Sequence, residues 1–147
     1  MSTPVKPDDN VLRDLFERVH SIAIVGAKDI AGQPVDRVGR YLIREGFEVF
    51  PIHPKRTGVW GGATYKNLVA LPKAVDMVVL FRAGLLCPSH AGEVLRMAVK
   101  PVCFWMQEGI SSKDSRALLE SAGIMVVEDD CVMIEHARLF NRHVLSS

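Results

Sequence analysis

The chain has 147 residues, of which 48% are apolar, and a formal net charge of +1. That is the length of one compact domain with apolar mass for a sizeable core. The near-neutral balance excludes a general affinity for nucleic acid or anionic membrane, so any anion recognition has to be local. Three cysteines, Cys87, Cys103 and Cys131, lack C-x-x-C spacing and fit a reducing compartment better than a disulfide scaffold. Residues 1–10 are polar and acidic, without signal or transit character, and read as a flexible N-terminus. The longest apolar runs have the length of strands, not of membrane spans, so a soluble cytoplasmic protein is expected.

Taken in chain order, Leu12, Leu15, Phe16 and Val19 repeat at helical spacing behind Asp8, Asp9 and Asn10 as possible caps, which predicts a short helix over 11–19. An apolar, β-branched run over 21–26 predicts the first strand, closed by Gly26. Pro34 suits the first position of a helix whose apolar stripe is Val35, Val38 and Leu42, with Gly46 as its stop. The second strand spans 47–52 and runs into His53, Pro54, Lys55 and Arg56. Residues 57–74 carry Gly58, Gly61, Gly62 and Pro72 and read as a loop with at most a short helix near 67–71. A buried parallel strand over 75–81, a helix over 87–99 and a strand over 101–105 follow. Ser111 and Asp114 have the spacing of a capping box, opening a helix that stops at Gly123. A final strand over 124–127 and a terminal helix or turn over 131–139 complete the chain.

About five strands alternating with helices predict a single α/β domain of Rossmann-like architecture. Its core would be a doubly wound parallel sheet, expected in the order 3-2-1-4-5. In such sheets ligands bind beyond the carboxyl ends of the strands. The first of these loops, Gly26, Ala27, Lys28, Asp29, Ile30, Ala31 and Gly32, could present a turn glycine and free N–H groups to a phosphate. It lacks the second glycine of the dinucleotide fingerprint G-x-G-x-x-G. At the end of the second strand, where an NAD site places a carboxylate for the ribose, stand His53, Pro54, Lys55 and Arg56. Cations there suit a phosphate on or near that ribose, as in NADP or coenzyme A; the plainer alternative is that Lys55 and Arg56 are solvated loop charges.

The blocks 22–27 with Gly32 and Pro34, 49–54, 76–82, 105–110 and 128–131 with Glu135 stand in an order and spacing that resembles a known family. It is that of the small single-domain CoA-binding proteins related to the N-terminal CoA-binding domain of the succinyl-CoA synthetase α subunit. The similarity runs from about Val19 to Leu139. It departs at His53, where the family usually has Asn, and at Lys28, where Ser or Thr is common. The resemblance implies coenzyme A or an acyl-CoA as ligand. Gly26 and residues 28–31 would cradle its phosphates, and Lys55 or Arg56 would face the phosphorylated adenosine. Phe81 and Arg82 would line the site, and Met106, Gln107 and Glu108 would lie near the pantetheine arm.

Catalysis has less support. The chain carries no P-loop and no nucleophile elbow. The phosphohistidine of the synthetase belongs to a second domain with no counterpart in these residues. Cys131, Glu135 and His136 sit on one short segment and do not make a convergent zinc site, so no metal or catalytic residue is expected. His20, His90 and His143 have no evident partners in the sequence, and surface roles are expected for them. Gln107 and Glu108 could instead cap the helix near Ser111, and Trp105 reads as a core or rim aromatic. The expectation is a stand-alone CoA or acyl-CoA carrier or sensor acting with an unidentified protein partner. An NADP- or nucleotide-dependent enzyme on the same fold and an interaction subunit without ligand are the alternatives.

Overall fold

A computed structural model of the chain describes residues 6–140. The apolar runs form five parallel strands: β1 (Ser21–Val25), β2 (Glu48–Ile52), β3 (Met77–Leu80), β4 (Cys103–Met106) and β5 (Met125–Val127). Around them lie α1 (Asp9–Arg18), α2 (Pro34–Arg44), α3 (Cys87–Arg96), α4 (Lys113–Glu120) and α5 (Val132–Phe140). Side chains alternate across each strand, and both faces are covered. Ile22, Ile24, Met77, Val79, Cys103 and Trp105 pack under α1, α2 and α5, while Ala23, Val25, Val78, Leu80, Phe104 and Met106 pack under α3 and α4. The expected α/β architecture is therefore present, doubly wound and Rossmann-like.

The strand order differs from the expected 3-2-1-4-5. The sheet runs β2-β1-β3-β4-β5, so β2 is an edge and β3 lies against β1 on its far side. The cause can be found in β2. The Pro51 carbonyl accepts the Tyr65 N–H on the outer side at 3.0 Å, whereas the Ile52 carbonyl faces inward to Gly26 and Ala27. The nitrogen of Pro51 thus also faces outward, where a missing N–H costs no ladder bond. Glu48 is exposed and Val49 half-buried, but all four residues of β3 are buried. A strand with a proline and an open start belongs at the edge, and an all-apolar one belongs in the middle. The order in which the chain adds strands to the sheet therefore reverses between β1 and β3, and the crevice expected at such a switch point opens over Gly26 and Phe81.

Several local expectations are refined in the same way. The Asp8 carboxylate caps α1, accepting the Val11 N–H at 3.0 Å. The cap of α4 is Ser112, whose hydroxyl accepts the Ser115 N–H at 3.1 Å, and not Ser111. Ser112 is buried and its own N–H donates to Glu128 Oε2 at 3.1 Å, which fixes where the helix can begin. The 57–74 segment contains two one-turn helices, Val59–Gly61 and Leu68–Ala70. It is tied to α2 by Trp60, whose indole N–H donates to Asp36 at 2.9 Å. Of the N-terminal segment, Asp9 and Asn10 belong to α1, Lys6 lies 3.8 Å from Asp130, and residues 1–5 fall outside the described residues. His143 also falls outside them.

Candidate functional site

The loop after β1 begins with a constraint on the backbone. Gly26 has φ +85°, and a Cβ on it would stand 2.5 Å from the Phe81 carbonyl oxygen. Only glycine lets the ends of β1 and β3 approach this closely. The Gly26 and Ala27 N–H groups are spent on the Ile52 carbonyl, at 3.0 and 3.1 Å. Those of Lys28, Asp29, Ile30, Ala31 and Gly32 donate to no protein group among the described residues. The loop leads to Gln33, which caps α2 without a side-chain hydrogen bond, and to Pro34 at the helix start. The Asp36 carboxylate in that first turn is occupied by Arg40 Nε and the Trp60 indole. The combination is an array of unpaired N–H donors beside a helix N-terminus, which favours an anion.

His53 explains itself in three dimensions. Its Nδ1 accepts the N–H groups of both Lys55 and Arg56, at 3.0 and 3.1 Å, as an Asn side chain does in an Asx turn. His53 thus supplies the acceptor that an Asn would supply in such a turn. Burial holds the ring below the usual histidine range, and the charges of Arg56, Lys28, Arg82 and Lys55 push it further down. Four cations from three separate loops therefore surround one neutral ring. Arg82 is half-buried, and its Nε is shielded from solvent with no partner among the described residues.

Three adjoining cavities run along this edge of the sheet. The central one, about 280 Å³, is bounded by Gly26, Lys28, Pro34, His53, Phe81 and Arg82. It meets a second of about 320 Å³ at Gly26 and Arg82, reaching Pro54, Lys66, His90 and Arg96 on the β2 side. It meets a third of about 400 Å³ at Pro34 and Phe81, walled by Val38, Ile110, Cys131 and Met133 on the α5 side. The result is a long crevice, basic in the middle and at one end and apolar at the other. A further cavity of about 380 Å³ between Leu68 and Val99 touches neither the glycine loop nor Phe81 and Arg82.

The crevice gathers Gly26, Lys28, His53, Pro54, Phe81, Arg82, Gln107 and Glu108 from the expected residues. Ala27 is fully buried beneath the loop, Asp29, Ile30, Ala31 and Gly32 are exposed along it, and Lys55 and Arg56 border none of the three cavities. Met106 is completely buried in the α3 and α4 face of the core, so its side chain does not reach the crevice. Gln107 does not cap the helix near Ser111. Its Oε1 accepts the Val132 N–H at 2.9 Å and caps α5, leaving the amide NH₂ as its donor. Trp105 is wholly buried, with its indole N–H on the Asp130 carbonyl at 2.8 Å. His90 does have a partner, Glu93 at 2.7 Å, and both border the β2-side cavity with Lys66 and Arg96. The i, i+3 spacing of His90 and Glu93 on a helix was visible in the sequence, but not the cavity they face.

Burial pushes the Cys87 thiol up to about 11 and the Cys103 thiol higher still, away from thiolate reactivity. His136 is held by the Tyr41 hydroxyl at 2.7 Å inside an aromatic cluster with Phe16 and Phe47. Among the described residues no three His, Cys, Asp or Glu side chains converge as metal ligands, and no helix is long and apolar enough to cross a membrane.

Comparison with known proteins places the chain in a family. Residues 20–137 match the family model described as a CoA binding domain. The uncharacterized protein YneT of Bacillus subtilis (strain 168) is 27% identical over 137 residues, 93% of this chain and 98% of its own. A solved protein from Thermus thermophilus, cell-free ID.343, is 35% identical with a TM-score of 0.85, covering 91% of this chain and 100% of its own. A hypothetical protein from Pyrococcus horikoshii OT3 is 26% identical with a TM-score of 0.87, covering 95% and 97%. By sequence over most of its length and by the arrangement of its sheet, the chain belongs to the CoA-binding domain family.

Proposed function

We propose that this protein binds coenzyme A or an acyl-CoA along the crevice, as a stand-alone carrier or sensor module. The observation that carries this reading is the meeting of unpaired N–H donors of the Gly26–Gly32 loop with the cations Lys28, Arg56 and Arg82 around a neutral His53. A diphosphate in the central cavity would receive main-chain donors on one side and guanidinium charge on the other. The pantetheine arm would leave past Phe81 into the apolar α5-side cavity, where the Gln107 amide can donate to a pantetheine carbonyl. Adenosine would occupy the β2-side cavity. Lys55 and Arg56 then serve mainly as part of the field around the phosphates.

NADP is the second reading, because the same cations replace the carboxylate that an NAD site places after the second strand. Calorimetric titration with CoA, 3′-dephospho-CoA, NAD and NADP separates the two. The expected result is micromolar binding of CoA, with both nicotinamide dinucleotides at least tenfold weaker. Tighter binding of NADP than of CoA, or no binding of CoA below millimolar, would overturn the proposal.

A further inference from the structure

We infer that the β2-side cavity is a reader of a phosphomonoester, with Lys66, His90 and Arg96 as its ligands and Glu93 as the residue that positions His90. The inference rests on the CoA reading and assigns the adenosine 3′-phosphate to these residues in place of Lys55 and Arg56. Glu93 is buried, yet its Oε2 accepts the Leu68 N–H at 3.0 Å and its Oε1 faces His90 Nδ1 at 2.7 Å. Burial opposes its ionisation, but the bonds from His90 and Leu68 and the charges of His90 and Arg96 outweigh it and hold the carboxyl below its ordinary range. An ionised carboxylate only accepts, so the proton between the pair sits on His90 Nδ1, and Nε2 is the nitrogen left to share a proton with a phosphate oxygen.

The charge balance of the cavity points the same way. Lys66, Arg82 and Arg96 border it with one carboxylate, and that carboxylate has both oxygens engaged. The Ser89 hydroxyl is a further donor on the same wall. A phosphomonoester carries close to two negative charges and three acceptor oxygens, which suits several cationic donors better than a carboxylate or a neutral sugar would. At about 320 Å³ the space is at the lower end of small-molecule sites, the size for a nucleoside rather than a whole cofactor. Arg82 borders both this cavity and the central one, so a single guanidinium can bridge the 3′-phosphate end and the diphosphate.

The test compares affinities for CoA and 3′-dephospho-CoA, and for adenosine 3′,5′-bisphosphate as a probe without the pantetheine arm. The parent protein should prefer CoA over dephospho-CoA by tenfold or more. His90→Gln, Arg96→Ala and Lys66→Ala should each shrink that preference at least threefold while leaving dephospho-CoA affinity within twofold, which a merely structural loss would not do. Glu93→Gln should shrink it less than His90→Gln. Lys55→Ala with Arg56→Ala should leave the ratio unchanged. An unchanged ratio in the His90 and Arg96 variants, or its loss in the Lys55 and Arg56 variant, overturns the assignment. If CoA itself fails to bind, the CoA reading falls, and the bisphosphate alone decides this inference. Binding that depends on His90 keeps the phosphomonoester site, and no binding removes it.

Discussion

Replacing Gly26 and Gly32 in turn by alanine separates two reasons for a glycine. Both have positive φ, +85° and +88°, so both alanines suffer the left-handed backbone penalty of about 1–2 kcal/mol. Both also regain roughly 0.4–1 kcal/mol from a stiffer unfolded chain. They differ in what the new Cβ meets. At Gly32 nothing lies within 4 Å, whereas at Gly26 the Phe81 carbonyl oxygen is 2.5 Å away and its carbon 3.2 Å. Relieving that overlap means parting the ends of β1 and β3. The bonds at risk are Phe81 N–H to Val25 O at 2.9 Å and Gly26 N–H to Ile52 O at 3.0 Å. At about 0.5–1.5 kcal/mol each, Gly26→Ala should cost about 1–4.5 kcal/mol in total and Gly32→Ala about 0–1.5 kcal/mol. Equilibrium urea unfolding measures this as a lower midpoint at unchanged slope. CoA affinity should fall more than tenfold in the first variant and less than threefold in the second. Stabilities for the two variants within about 0.5 kcal/mol of each other would refute the idea that close approach of β1 and β3 fixes Gly26.

Two other perturbations probe the framework of the crevice. Gln107→Leu keeps the volume but strands the Val132 N–H at the start of α5; a loss of about 1–3 kcal/mol is expected by urea unfolding, and no loss would mean water replaces the cap. Burial holds His136 below the usual histidine value of about 6.5, with the Glu45 charge opposing. Its contribution is therefore full above about pH 6.5 and is lost as pH falls, because the unfolded chain takes up a proton that the folded ring refuses. His53, depressed as well, acts in the same direction. The urea midpoint should drop between pH 7.5 and 5.5, and less steeply in His136→Phe. Equal slopes in the two proteins would remove His136 as the cause.

The fold could be read from the chain wherever a local rule was enough. Asp8, Pro34, Gly46 and Gly123 mark helix ends that the structure keeps to within a few residues, and each strand was visible as an apolar run. Strand order was readable only in part. The expected order put the second strand inside the sheet; Pro51 and Glu48 suit an edge, but choosing that edge means knowing that Tyr65, far along a loop, closes it. Met106 was misplaced for a different reason. Its neighbour Gln107 lies on the crevice, but the alternation through Phe104 and Met106 sends that side chain into the core. The His90 and Glu93 pair was missed although its i, i+3 spacing was there to see, and its site was hidden because the loop carrying Lys66 and the glycine loop after β1 reach it only in the folded chain.

Lys28 and His53, the two departures from the family pattern, bear on what kind of site this is. The cradle proposed for the phosphates would use main-chain N–H groups of residues 28–32, which any side chain leaves in place so long as Gly26 and Gly32 hold their φ angles. Lys28 in place of a hydroxyl therefore removes no backbone donor and brings a cation to the rim of the central cavity. His53 in place of Asn still accepts the Lys55 and Arg56 N–H groups, but it can do so only while Nδ1 is unprotonated. Burial and then the cations that surround it keep it so, and a bound diphosphate would offset their charge. Protonation of His53 would thus cost the turn its two hydrogen bonds while adding positive charge to the crevice. An Asn at this position would hold the same turn at every pH, whereas His53 makes the turn and the charge beside the central cavity depend on proton concentration.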